Sequence, residues 1–175
     1  IGFAPDDREK LRQDLKARGV SDKQMVDAGL LIQLDNREPY ARFRGRIMFP
    51  IRTRQSKVVA FGGRILPALA AINDKAPKYL NSPETELFHK GSLLYRYPEA
   101  RAFAHDPKVK AKGLIVAEGY MDVIAFARAG LGQAVAPLGT ALTENQLRLL
   151  WRAGPEPVVC LDGDMAGTRA AALAA

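Results

Sequence analysis

From residue 113 onward, short apolar runs rich in branched residues alternate with stretches of helical spacing. This alternation constrains the fold more than any other feature of the chain. Gly113–Ala117, Gln133–Pro137 and Pro157–Leu161 read as strands. Met121–Ala129 has helical spacing and ends at Gly130. Thr143-Glu144-Asn145-Gln146 is a capping-box pattern opening a helix through Arg152, with Leu147, Leu150 and Trp151 on one stripe, and Ala166–Ala175 begins a third helix. Strands separated by helices through short connections argue a parallel sheet covered on both faces. Ligands bind such sheets at the carboxyl ends of their strands. Two acidic clusters fall there, Glu118-Gly119-Tyr120-Met121-Asp122 after the first run and Asp162-Gly163-Asp164 after the third.

Carboxylates gathered at equivalent strand ends repel one another unless a cation sits between them. Hard divalent ions such as Mg²⁺ take carboxylate oxygens, keep some waters and share remaining positions with substrate phosphates. The plainer alternatives are local. Asp122 is placed to complement a helix dipole, and Asp-Gly is a common turn pair. The recurrence of both clusters at strand ends favours metal.

The rest of the chain is basic. Residues 1–112 carry 22 Lys and Arg against 13 Asp and Glu, whereas residues 113–175 carry 4 against 6. The chain therefore divides near Gly113 into a basic and an acidic part. Between Glu38 and Asp74 there is no acidic residue, while Arg42, Arg44, Arg46, Arg52, Arg54, Lys57 and Arg64 supply seven cations. Arg42–Ile51 and Lys57–Leu66 read as an antiparallel hairpin. A period of two would set Arg42, Arg44 and Arg46 on one face and Phe43, Ile47, Phe49 and Ile51 on the other. A solvated sheet face is the ordinary reading of such a run. Seven unopposed cations favour a polyanion, and hence a nucleic-acid surface bound mainly through phosphates.

Elsewhere the amino-terminal part is less regular. Pro5-Asp6-Asp7 opens a helix carrying Leu11 and Leu15, Ser21-Asp22-Lys23-Gln24 caps another that ends near Gly29, and Leu30–Leu34 reads as a strand. Pro67–Pro77 reads as a loop, and a helix is expected around Glu99–Ala104. The segments Pro77–Thr85 and Phe88-His89-Lys90-Gly91 are loop-like. There Lys78 and Lys90 could hold a triphosphate, Tyr79 could stack on a base or ribose, and Asn81 could bond a sugar hydroxyl. The glycine pair in Phe61-Gly62-Gly63-Arg64 suggests a bulge or a close backbone approach. The chain of 175 residues has one cysteine, Cys160, and two histidines. An intramolecular disulfide and a Cys-rich zinc site are thereby excluded, and Cys160 is expected to be a buried small apolar residue. No apolar run approaches the roughly 20 residues that span a bilayer, and the amino terminus lacks the blocks of a signal peptide. A reducing cytoplasm is expected, with no membrane partner. Without an initiator Met, and stopping inside a helix, the chain reads as a piece of a longer protein.

Glu118-Gly119-Tyr120-Met121-Asp122-Val123 and Asp162-Gly163-Asp164-x-Ala166-Gly167 resemble the two acidic motifs of the Toprim fold, in the version found in bacterial DnaG-type primases. Four further blocks, in order, resemble the same catalytic core: Arg44-x-Arg46-Ile47-x-Phe49-Pro50-Ile51, Phe61-Gly62-Gly63-Arg64, Lys78 through Thr85, and Phe88-His89-Lys90-Gly91. Even Ile1-Gly2-Phe3-Ala4-Pro5 resembles that core's start. The resemblance implies an α/β protein, with a mixed α/β subdomain and basic hairpin over 1–112. A Toprim subdomain, a Rossmann-like parallel sheet truncated at its C-terminal end, would follow over 113–175.

The function implied is a DNA-templated RNA polymerase making short RNA primers on single-stranded DNA for replication, by metal-dependent nucleotidyl transfer from ribonucleoside triphosphates. By the same resemblance Glu118, Asp162 and Asp164 are catalytic and metal-binding acids, with Asp122 a helper for Mg²⁺ or Mn²⁺. Arg64, Lys78, Tyr79, Asn81 and Lys90 match nucleotide-handling positions, and Arg42, Arg44 and Arg46 lie at or beside the template groove. An RNA–DNA hybrid is the implied product, and the replicative helicase of the primosome is a partner through a region absent here. Zinc is expected only in a module outside this chain. The third Toprim acidic motif would fall past Ala175, so residues 1–175 alone are expected to bind DNA yet make little primer. The alternatives are a topoisomerase- or nuclease-like Toprim protein and an inert nucleic-acid-binding module. Type IA topoisomerases typically follow the Asp-x-Asp with Gly-Glu, whereas Gly167 here precedes Thr168.

Overall fold

The computed structural model describes residues 1–73, 75–109, 113–139 and 141–163. After β1 (Gly2–Ala4), Asp7 turns the chain into its first helix. Its Oδ1 accepts the backbone N–H groups of Glu9 and Lys10, both at 2.8 Å, ahead of α1 (Lys10–Lys16). The next helix, α2 (Asp22–Asp27), begins at a complete capping box. Ser21 Oγ accepts from the Gln24 N–H at 3.3 Å, and Gln24 Oε1 accepts from the Ser21 N–H at 2.8 Å. Charge ties the two helices together. Arg12 donates two bonds of 2.8 Å to the Asp22 carboxylate, Lys16 approaches it at 3.0 Å, and Glu38 closes on Arg12. On their apolar side Leu11 and Leu15 pack against buried Met25, Leu31 and Ala41. The last two belong to a short antiparallel ribbon of β2 (Leu31–Ile32) and β3 (Tyr40–Ala41).

The basic hairpin is β4 (Arg46–Arg52) and β5 (Val58–Ile65), turned by a Thr53 N–H bond to the Lys57 carbonyl at 2.8 Å. Its first strand starts four residues later than the alternation suggests. Gly45 has φ +57, and a Cβ there would lie 2.0 Å from Leu69 Cδ1. That left-handed turn, open to glycine at little cost, breaks the extended run. The expected strand face of Arg42, Arg44 and Arg46 therefore does not form. Only Arg46 lies in the strand, and it is buried.

A single helical turn, α3 (Pro67–Ala70), stands where the sequence reads as loop. The loop-like segment after it contains β6 (Tyr79–Asn81), which pairs antiparallel with β5 through Gly62–Asn81, Gly63–Leu80 and Arg64–Tyr79. A strand of three residues has too little pattern to announce itself; its partner makes it. These strands join in the order β1-β4-β5-β6.

Packing divides the chain into two units, one of Ile1–Ile51 with Val58–Phe88 and one of Arg52–Lys57 with His89–Ala175. The division falls earlier than the change of charge near Gly113. Its cause lies in α4 (Tyr97–His105), whose Tyr97, Ala100 and Ala104 share a core with Leu114, Val116, Val135, Leu149 and Leu150.

That second unit holds the alternating pattern. β7 (Ile115–Val116), α5 (Tyr120–Arg128), β8 (Ala134–Val135), α6 (Glu144–Ala153) and β9 (Val158–Val159) follow in order, and the strands form a parallel sheet ordered β8-β7-β9. Ile115 and Val116 point to opposite faces and both are buried, as a covered central strand requires. The edge strand β9 is more open, with Val158 at 58% and Val159 at 38% exposure. Cys160 beside them is exposed, not buried as expected, because among the described residues β9 pairs only with β7. On α6 the buried stripe is Gln146, Leu149, Leu150 and Ala153, with Leu147 partly buried, whereas Trp151 is 59% exposed. The expected third helix from Ala166 lies outside the described residues. Among those described, no helix is long and apolar enough to cross a membrane.

Candidate active site

Parallel pairing decides where the acids go. With Ile115 opposite Val158 and Val116 opposite Val159, the residues following β7 and β9 leave the same edge of the sheet. The Cys160 N–H extends the ladder to the Val116 carbonyl at 2.8 Å. Just beyond, the Asp162 N–H donates to Glu118 Oε2 at 3.2 Å. Glu118 and Asp162 thus converge, both exposed to solvent, above the fully buried Val116 and Ala117. Asp122 is used differently. Its Oδ2 accepts the Gly119 N–H at 3.0 Å and so caps α5; glycine has no side chain to return the bond. Asp122 is therefore placed as a helix cap, the plainer of its two readings. Asp164 lies outside the described residues. Among those described, no three His, Cys, Asp or Glu side chains gather as a metal cage; the contact between the two strand ends runs from the Asp162 backbone to the Glu118 carboxylate. Beneath α5, Tyr120 meets Tyr95 edge-on at 4.7 Å, and burial pushes both phenols above their ordinary pKa.

In the first unit a polar cavity of about 330 Å³ is lined by Asp6, Arg42, Arg44, Arg46, Leu69 and Asn73, among others. The three arginines serve it unequally. Arg46 donates to the carbonyls of Gly63 at 3.3 Å and Pro77 at 2.9 Å, and Arg42 donates twice to the Asn81 carbonyl, at 3.3 and 3.1 Å. Burial lowers the pKa of both guanidiniums from the ordinary value. Arg44 instead lies 6.0 Å from the Tyr40 ring centroid, with Arg8 at 4.4 Å. The sequence reading missed Arg8, whose contact with Tyr40 spans residues distant in the chain. The second glycine of the pair is explained by Arg46 and Phe43. A Cβ at Gly63 would lie 2.9 Å from Arg46 Cδ and 3.0 Å from Phe43 Cδ1, so the close approach is to side chains.

Pairing of β5 with β6 sets Arg64 opposite Tyr79 and Gly62 opposite Asn81. Lys78 lies 6.0 Å from the Tyr79 ring centroid, and both are exposed. Arg64 is half-buried, and its Nε is a buried donor without a hydrogen-bond partner among the described residues. Four of the five expected nucleotide-handling residues therefore lie on or directly beside the paired strands β5 and β6. Ser82 anchors it, donating its N–H to the Phe61 carbonyl at 2.8 Å and accepting the Phe61 N–H on Oγ at 3.0 Å. Lys90 belongs to the second unit, in a helical turn at Lys90–Ser92.

The family profile for the DNA primase catalytic core, N-terminal domain, matches residues 1–101. The chain belongs to the DnaG primase family. A Toprim domain profile matches residues 112–175, where the parallel sheet and its acidic edge lie. The DNA primase of Pseudomonas putida is 49% identical over 172 residues, which are 98% of this chain and 24% of that protein. A solved DNA primase domain from Pseudomonas aeruginosa superposes with a TM-score of 0.83 at 46% identity, over 99% of this chain and 51% of that one. A DnaG primase catalytic domain solved bound to single-stranded DNA gives 0.81 at 43% identity, with the same coverage. The chain thus spans about a quarter of the length of the curated primase it matches and half of the solved cores. The primase-specific match over residues 1–101 separates it from other Toprim proteins and sets aside the topoisomerase reading.

Proposed function

We propose that the protein is a DNA-templated RNA polymerase that makes short RNA primers on single-stranded DNA from ribonucleoside triphosphates. The observation that carries this reading is the convergence of Glu118 and Asp162 at one strand edge, held by the 3.2 Å bond, in a chain of the primase family. The donor chemistry fits a hard divalent ion, Mg²⁺ or Mn²⁺, which Glu118 and Asp162 would hold, with Asp164 joining them by its place in the motif. When bound, such ions supply charge neutralisation and activation of the attacking hydroxyl. The chain's own part is positioning. Two short strands root both acids in a buried sheet, and Asp122 fixes the turn between β7 and α5. On the first unit Arg64, Lys78, Tyr79 and Asn81 provide cationic and stacking groups for a nucleoside triphosphate, and the Arg64 Nε, without a partner among the described residues, suits a phosphate oxygen; on the second unit Lys90 provides a cation for the same class of ligand. In the reaction the primer 3′-hydroxyl gives up its proton to solvent, its oxygen bonds to the α-phosphorus, the bond from that phosphorus to the bridging oxygen breaks, and pyrophosphate leaves with the electron pair. The arginine-lined cavity supports a template path on the first unit, and a relative was solved with single-stranded DNA. A hybrid product, a replicative helicase partner and residence in the cytoplasm belong to the same proposal.

Incorporation of labelled ribonucleotides on single-stranded DNA by the full-length protein is the test. Glu118→Gln and Asp162→Asn are expected to lower synthesis at least about tenfold, on the scale of disturbed metal sites, while DNA affinity stays within about twofold because the basic unit is untouched. Normal synthesis by either variant would remove these acids from the site. No synthesis by the wild type would favour an inert binding module.

A further inference from the structure

The first turn of α6 does more than cap its own helix. Gln146 is fully buried, and its amide has its partners. Oε1 accepts the Thr143 N–H at 3.1 Å, while Nε2 donates to the carbonyls of Lys90 at 2.9 Å and Leu93 at 2.8 Å. Thr143 adds a third tie, its Oγ1 donating to the Gly91 carbonyl at 2.5 Å. The same Oγ1 accepts the Gln146 N–H at 3.2 Å. Three carbonyls of the Lys90–Leu93 turn are thus held by two side chains more than 50 positions away. The fit is close, because a Cβ on Gly91 would sit 3.2 Å from Thr143 Cγ2. An ordinary capping box needs only the reciprocal Thr143 and Gln146 bonds. The bonds to residues 90, 91 and 93 are surplus to it.

We infer that Gln146 and Thr143 are positioning residues that hold the Lys90 backbone in place for the incoming nucleotide; this rests on the reading of Lys90 as a triphosphate-binding lysine. A lysine is a point charge on a flexible stem, so where its root is held governs how much freedom binding must remove. A buried amide donating to two carbonyls of one turn fixes that root without touching the ligand. Replacing the amide by an apolar group removes both of these bonds, and the turn loses the ties that fix it to α6.

The test compares Gln146→Met, Lys90→Ala and the double variant in the full-length protein, with primer synthesis measured over a range of ribonucleoside triphosphate. Gln146→Met keeps the side-chain volume and removes both donors. Its KM is expected to rise about fivefold or more, with kcat within about twofold, as for loss of binding shared by ground and transition states. Lys90→Ala should raise KM similarly. If Gln146 acts through Lys90, the double variant is no worse than Lys90→Ala alone. A purely structural glutamine would lower the melting temperature and the active fraction but leave KM unchanged. An unchanged KM in Gln146→Met beside a raised one in Lys90→Ala overturns the inference, as does multiplication of the two effects. An unchanged KM in Lys90→Ala removes the nucleotide reading of that lysine and this inference with it. Should Gln146→Met not fold, Thr143→Val carries the same expectation, and Thr143→Ser, which keeps the hydroxyl, should bring KM back.

Discussion

At the scale of single residues, Arg44 and Arg46 separate two jobs that look alike in sequence. Arg46 is 5% exposed and bonds two carbonyls from different segments, whereas Arg44 is half-buried against Tyr40 in the wall of a polar cavity. Truncating Arg46 would leave the Gly63 and Pro77 carbonyls without their donor. Arg46→Ala is therefore expected to destabilise the protein by about 1–3 kcal/mol, the range for an orphaned buried polar group. Arg44→Ala should stay within about 0.5 kcal/mol, as surface changes usually do. Urea denaturation of the two variants checks this, and equal losses would mean that Arg44 is also structural.

Among the elements, the α1–α2 pair carries a pH dependence. Arg12 foremost, then Lys16, holds the Asp22 carboxyl well below the ordinary carboxylate range. A carboxyl depressed in the folded state binds its proton more readily when unfolded, so its stabilisation is complete above the unfolded pKa of about 3.9 and is lost as pH falls below it. Melting temperature should therefore fall as pH drops from about 5 toward 2, and Asp22→Asn should show a shallower fall. An equally steep fall in Asp22→Asn would place the acid sensitivity elsewhere. The ion network holds two helices of only seven and six residues, too short to persist alone.

For the whole molecule, charge and chemistry are carried by different stretches of chain. The acids that converge at the sheet edge belong to the second unit, and the arginine cavity belongs to the first. Single-stranded DNA affinity is thus expected to follow salt with a slope set by the first unit. Each phosphate contact contributes about 0.7 to that slope, so Arg44→Ala should flatten it by roughly that amount while Asp162→Asn leaves it unchanged. Binding measured between low and moderate salt decides this. A slope altered by Asp162→Asn and untouched by Arg44→Ala would reverse the division.

The sequence alone was enough for the features whose cause is local. Capping boxes at Ser21 and Thr143 use side chains three residues apart, and both are present. The alternation after Gly113 showed the parallel sheet because each strand and helix there declares its own period, and with it came the edge where Glu118 and Asp162 emerge. What tertiary structure decided are matters of distant partners. β6 is a strand because β5 lies beside it, Arg46 is buried because Gly63 and Pro77 receive it, and Cys160 is exposed because its strand stands at the edge of the described sheet. Trp151 fell outside the buried stripe, while Gln146, polar by composition, entered it. A side chain's place depends on what covers it, and that covering comes from chain far away in sequence, where no local period reaches.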